Sequence, residues 1–165
     1  MKLTIYRIIT FLLLPMAFLF AIAFMVLLRA AFANPPLFFS LFFAAAIAIY
    51  TFASLNFLIR GIDGKKLLGR SSKEWLIVNA IVSIIYAILA ILQRFLIALD
   101  SSAVQQFASM IKKNGQLNIP EAQIIRFING ILYFVFAYGI VLFTHIILSF
   151  QYVKQYKYLF QTEKK

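Results

Sequence analysis

Cysteine is absent from this chain, so disulfides, thiolate metal sites and a cysteine nucleophile are excluded. There is one histidine, His145, which rules out a pair of imidazole ligands within one chain. Acidic residues are almost as scarce. Asp63, Glu74, Asp100, Glu121 and Glu163 are the only five, and their scatter along the sequence does not make a carboxylate cage for a hard cation. Neither a metal nor an organic cofactor is expected on these grounds. Charged residues are only 13% of the 165, against about a quarter in a soluble domain.

What fills the chain is apolar. Hydrophobic residues make up 64% of it, and the mean hydropathy is +0.93. A water-soluble domain of this size buries only about two thirds of its surface and could not hide so much. Most of the chain must meet lipid. Spanning a bilayer takes about 20 mainly apolar residues in a helix. Four segments qualify, at 8–28, 37–59, 75–99 and 127–150. The expected fold is an all-α integral membrane protein. It is a four-transmembrane-helix bundle forming a single domain over 1–165, with a short amphipathic helix in the outer loop.

The first span follows Lys2 and Arg7 and precedes "AFA" at 31–33, which has the small-residue pattern of a signal cleavage site. Its apolar core is longer than the roughly 7–15 residues of a cleaved signal, and Arg29 stands just before the site. A retained helix is expected. Pro15 lies inside this span and should kink it or leave the carbonyl of Phe11 unpaired. Pro35-Pro36 opens the second span, where proline suits a first turn.

Basic residues set the orientation, because they collect on the cytoplasmic side. Lys2, Arg7, Arg60, Lys65, Lys66, Arg70, Lys73, Lys154, Lys157, Lys164 and Lys165 fall on one side of the four spans. Arg29, Arg94, Lys112, Lys113 and Arg126 fall on the other. Both termini, the 60–75 loop and the 151–165 tail are therefore expected in the cytoplasm, with 100–126 as an extracytoplasmic loop. Short loops and this bias point to a bacterial inner membrane.

"RGIDGKKLLGRSSKEW", at 60–75, is the most charged stretch. Its glycines do not have phosphate-loop spacing, and no strand precedes them. Ser71 and Glu74 have capping-box spacing. Trp75 fits an interfacial anchor, and Gly61 is placed to end the second helix. A turn with anchors is the expected reading. In the outer loop, Val104, Phe107 and Ile111 recur at helical spacing, widened by Ala103 and Met110, with Gln105, Gln106, Lys112 and Lys113 opposite. Asn114-Gly115 reads as a turn, and Pro120-Glu121 restarts a helix. The tail interleaves Tyr152, Tyr156, Tyr158 and Phe160 with Lys154 and Lys157. Interfacial anchoring explains this better than stacking on nucleic acid, and no nucleic-acid partner is expected.

Ionisable residues inside spans are functional suspects. Arg94 lies late in the third span on a stripe with Ser83, Ala87 and Ala90. It can snorkel to headgroups or point into the bundle, and Asp100 is not on its face. His145 lies in the fourth span near one stripe with Tyr138, Ser149 and Tyr152. Asn56 and Asn79 should lie at similar depth, so a hydrogen-bonded polar cluster is expected there. Replacing His145 by phenylalanine is expected to leave folding intact. Ser40, Ala44 and Ala48 form a second small-residue stripe. No catalytic residue is assigned.

No internal repeat supports an inverted-repeat transporter. The expected function is that of a non-catalytic accessory subunit or assembly protein. Its partners would be the lipid bilayer and another membrane protein or further copies of itself. The alternative is an oligomeric channel or small-solute transporter lined by Arg94 and His145. A lipid-acting enzyme ranks last, since Asp63, Glu74, Asp100 and Glu121 have no partner motifs.

Overall fold

The computed structural model describes residues 2–114 and 119–160. Helix α1 covers Lys2–Ala33 and α2 covers Leu37–Asn56, and α2 runs on as a π-helical turn at Phe57–Asp63. Helix α3 is Arg70–Leu99, α4 is Ser102–Asn114 and α5 is Glu121–Gln155, followed by a 3₁₀ turn at Lys157–Phe160. Four of these helices are long and apolar enough to cross a membrane, and no strand occurs among the described residues. The chain is thus an all-α protein of membrane-spanning helices, with α4 as the short amphipathic helix between the third and fourth.

The helices outrun the apolar windows read from sequence, because their charged and polar ends stay helical beyond the oily core. The 100–126 connection holds the expected short amphipathic helix, α4, and the expected helix restart after Pro120, where α5 begins at Glu121. The Asn114-Gly115 turn and the tail beyond Phe160, with Lys164 and Lys165, lie outside the described residues.

Buried positions alternate at spacings of four and three in every long helix. Among them are Tyr6, Thr10, Leu13 and Ala17 in α1, and Ala44, Ile47, Thr51 and Ser54 in α2, a helix buried more widely than this one stripe. Helix α3 contributes Leu76, Ala80, Ser83, Ala87 and Ala90, and α5 contributes Tyr138, Leu142, His145, Ser149 and Tyr152. This spacing is the seam by which helices interlock side chains with near-parallel neighbours. Many seam positions are alanine or serine. Lipid tails are as apolar as leucine, so membrane helices gain from close approach more than from greasy bulk.

The chain packs as two compact units, one of residues up to Tyr86 with those from Leu142 onward, the other Ala87–Val141. In the first, α1 lies along α2. The charged loop is part of its core. Leu68 donates its N–H to the Leu159 carbonyl at 2.6 Å, and Phe57 stacks on Phe160 at 5.3 Å. Around them, Leu58, Ile62, Leu76 and Val153 are buried. Arg7 and Asp63 form an exposed ion pair.

Two local expectations for this loop are corrected. Gly61 does not end the second helix. A Cβ there would stand 3.0 Å from the Leu68 side chain and 3.2 Å from the Phe57 ring, so a larger residue would press on both. The chain turns four residues later, where Lys65 takes the left-handed conformation at φ 50° and Lys66 N–H reaches the Arg60 carbonyl at 3.0 Å. That closure is one residue wider than the usual helix C-cap, in keeping with the π turn it ends. The capping box is absent as well. Arg70 is already helical, which puts Ser71 inside the helix, and the Glu74 carboxylate accepts from Arg70 Nε at 2.8 Å.

In the second unit, α3 meets α5 at Gly139, where a Cβ would lie 3.3 Å from both the Ala87 carbonyl and the Ala90 methyl. The small stripe expected on α3 is used here. Helix α4 begins from an Asx turn, with Asp100 Oδ1 accepting from Ser102 N–H at 2.8 Å and Oδ2 from Ser102 Oγ at 3.0 Å. These bonds to the ionised form hold the Asp100 carboxyl below its ordinary value of 3.8. Val104 and Ala108 are the buried face of α4, while Phe107 and Met110 stand on its surface.

Candidate functional site

The most developed polar site is in the first unit. His145 is fully buried, and both ring nitrogens are engaged. Nε2 lies 2.8 Å from Thr10 Oγ1, and Nδ1 lies 2.7 Å from Tyr50 OH. Hydrogen counting assigns the tautomer. Thr10 gives its one hydroxyl hydrogen to the Tyr6 carbonyl at 2.7 Å, so its oxygen accepts from His145 Nε2–H. Nδ1 then accepts from the Tyr50 phenol. Ser149 Oγ lies 2.9 Å from the Tyr50 oxygen and 3.3 Å from Tyr6 OH. The Tyr6 ring stacks on the imidazole, 4.8 Å between centroids and 2° from parallel. No carboxylate stands among these partners to balance a second ring proton, so the neutral ring is the form this site accommodates.

The geometry follows from the seams. Tyr6 and Thr10 are one turn apart on α1, His145 and Ser149 one turn apart on α5, and Tyr50 faces them from α2. Polar groups in an apolar bundle bond their own helix backbone or neighbouring helices, and these five side chains bond or stack on one another across three helices.

The expected cluster around His145 is present, with a different membership. Ser149 belongs to it. Asn56, Asn79 and Tyr138 do not. Asn79 donates to the Trp75 carbonyl of its own helix at 2.8 Å, a local alternative that asparagine often takes. Asn56 is half-buried at the end of α2, away from the ring's partners. Tyr138 is buried in the other unit. The residues that sequence reading missed are Tyr6, Thr10 and Tyr50. Their signal was available. Tyr6 and Thr10 share the four-three spacing of the α1 seam, and Tyr50 is a phenol in mid-span that must be bonded to something.

Arg94 is the second candidate and lies in the other unit. Its Nη2 donates to Tyr133 OH at 2.6 Å, and its Cζ sits 4.2 Å from the Tyr133 ring centroid. The ion pairs among the described residues are Arg7–Asp63 and Arg70–Glu74, so Arg94 takes a phenol instead of a carboxylate. The half-buried guanidinium is thus held against α5 by a charge-assisted hydrogen bond and the ring face together.

Among the described residues no three His, Cys, Asp or Glu side chains gather into a group able to hold a metal ion. Comparison with protein families, curated proteins and solved structures gives no match to this chain.

Proposed function

We propose that this protein is a non-catalytic membrane protein that acts by association, as an accessory subunit or assembly partner of a larger membrane complex. The observation that carries this reading is the closure of the His145 network. Both ring nitrogens of His145 are bonded, to Thr10 and Tyr50, and Thr10 and Ser149 are bonded in turn to Tyr6. A proton relay would need a chain of ionisable groups, and a hydrolytic site would need an acid or base beside a nucleophile. This ring instead fixes the register of α1, α2 and α5.

Helix α1 is the face we assign to the partner. Only 11% of its most apolar window is covered by the rest of the chain, against 50% for the second span. Phe11, Phe18, Leu19 and Met25 stand on that open side. We place the protein in a bacterial inner membrane with both termini cytoplasmic, on the strength of the basic residues around 60–75 and at the two ends. A photoreactive residue at Phe18 tests the assignment in native membranes. Crosslinks to one protein of distinct mass are expected. Crosslinks to lipid alone would contradict it.

The second reading, an oligomeric channel or transporter, draws its support from Arg94, a span arginine without a carboxylate. In that case reconstituted vesicles would pass a small anion, and Arg94→Leu would abolish the flux.

A further inference from the structure

The turn that ends the π-helical segment is a closed ring of backbone. Gly64 N–H reaches the Ile59 carbonyl at 2.9 Å, and Lys66 N–H reaches the Arg60 carbonyl at 3.0 Å. Lys65 closes the ring with a φ of 50°, and it is the one non-glycine residue with positive φ among the described residues. Glycine takes that conformation without steric cost. The glycine next to it does not take it: Gly64 has a φ of −82°. Gly64 is held by close approach instead, since a Cβ there would lie 2.9 Å from the Arg60 carbonyl oxygen and 3.0 Å from that of Ile59. Glycine would suit the backbone at 65 better, so what lysine adds there is its charge. Strain of this kind concentrates at sites that bind or switch.

The ring gathers cations. Arg60, Lys65 and Lys66 are all exposed, and the bond that closes the ring joins the backbones of Arg60 and Lys66. Asp63 and Glu74 are the only acids among the described residues of this unit. Both are engaged elsewhere, Asp63 by Arg7 and Glu74 by Arg70. The three cations therefore lack a carboxylate of their own unit.

Depth and an apolar neighbour limit what meets them. Leu68 is buried with its N–H fixed to the Leu159 carbonyl, while Leu67 beside it is 63% exposed. Leu68 also belongs to one core with Leu58, Ile62 and Leu76, which lie at the ends of the second and third spans. The ring is thus pinned where one apolar span ends and the next begins. In a membrane-spanning chain that level is the headgroup layer, where cations meet phosphate and a leucine reaches the acyl boundary.

We propose that this ring docks on anionic phospholipid headgroups, with Arg60, Lys65 and Lys66 against the phosphates and Leu67 in the layer beneath. An acidic protein segment would answer the cations and leave Leu67 unexplained. The lipid surface answers both at the depth where the ring already lies. The proposal holds whether or not the chain has a protein partner.

A nitroxide attached at Leu67→Cys tests it, in the full chain reconstituted into vesicles. The probes are dissolved oxygen, which enters lipid, and a neutral nickel chelate, which stays in water. The ratio of oxygen to nickel collisions should be at least roughly threefold higher in phosphatidylglycerol than in phosphatidylcholine, since each cation near the surface favours anionic lipid by about fivefold. Molar salt should remove the difference, because it shortens the screening length to about 3 Å. The variant R60Q/K65Q/K66Q should remove it as well. Lys65→Gly should shrink it while leaving the fold at least as stable, because glycine meets the backbone there without strain. If the triple variant folds poorly, the salt series on the otherwise unaltered chain decides. Equal ratios in the two lipids, indifference to salt, or an unchanged triple variant would each overturn the proposal. So would a label that stays in water in both vesicles and is covered only in native membranes, which would give this face to a protein.

Discussion

His145 is buried and bonds Thr10 through Nε2 and Tyr50 through Nδ1. Each bond it makes is worth about 0.6 kcal/mol in a bilayer, up to about 1.7. Removing a partner costs more, because a buried acceptor is then left bare. We therefore expect His145→Phe and Tyr50→Phe each to lower stability by about 1–2 kcal/mol, while the double variant costs about 1 kcal/mol less than their sum. Unfolding in mixed micelles measures all three, and strictly additive effects would show that the bond has no energetic role. Full burial with both nitrogens bonded also revises the expectation that His145→Phe leaves folding intact: the variant should fold with a measurable loss. Asp100 gives a second test at this scale. Its pKa is lowered in the folded chain, so its contribution is present above the ordinary value of 3.8 and fades as pH falls through the lower folded value. The protection of the first α4 amides, taken relative to their intrinsic exchange rates, should fall once the pH drops below the lowered Asp100 titration, and in Asp100→Ala it should be low at every pH.

Among the elements, two contacts decide how closely helices approach. At Gly139 a side chain would strike the Ala87 carbonyl and the Ala90 methyl, so Gly139→Leu should cost about 1–3 kcal/mol in thermal unfolding. Gly130 on the same helix has nothing within 4 Å of a new Cβ, and Gly130→Ala should be neutral or gain up to about 1 kcal/mol. Equal effects at the two positions would contradict this packing of α3 on α5. Where Leu159 and Phe160 press on the charged loop, Leu159→Ala should cost about 2–3 kcal/mol and speed hydrogen exchange at the Leu68 amide. The four spans and the amphipathic α4 were legible because hydropathy over 20 residues is a strong signal. The details of 60–75 were not. Glycine and capping patterns report local preference, whereas here a long-range contact with Leu159 decides where the helix ends. The His145 site was half legible for a similar reason. Sequence gives a residue's stripe on its own helix, but not which stripe of α1 or α2 will face it. Asn56 lies six residues beyond Tyr50, the α2 residue that meets His145, and Asn79 bonds within its own helix.

For the whole molecule, orientation and association are the open claims, and the lack of native cysteine makes both accessible. Single cysteines at Ser71 and Gln106, both on exposed positions, should react with an impermeant maleimide from opposite sides of the membrane. Ser71 should be reached only from the cytoplasm; labelling of both from outside would refute the proposed topology. Association is tested most directly by purifying the tagged chain from its native membrane in mild detergent and weighing the intact complex. We expect a stoichiometric complex containing a second membrane protein. A homo-oligomer without partners, whose reconstituted vesicles pass a solute until Arg94 is replaced by leucine, would contradict the association reading and establish the chain as a pore.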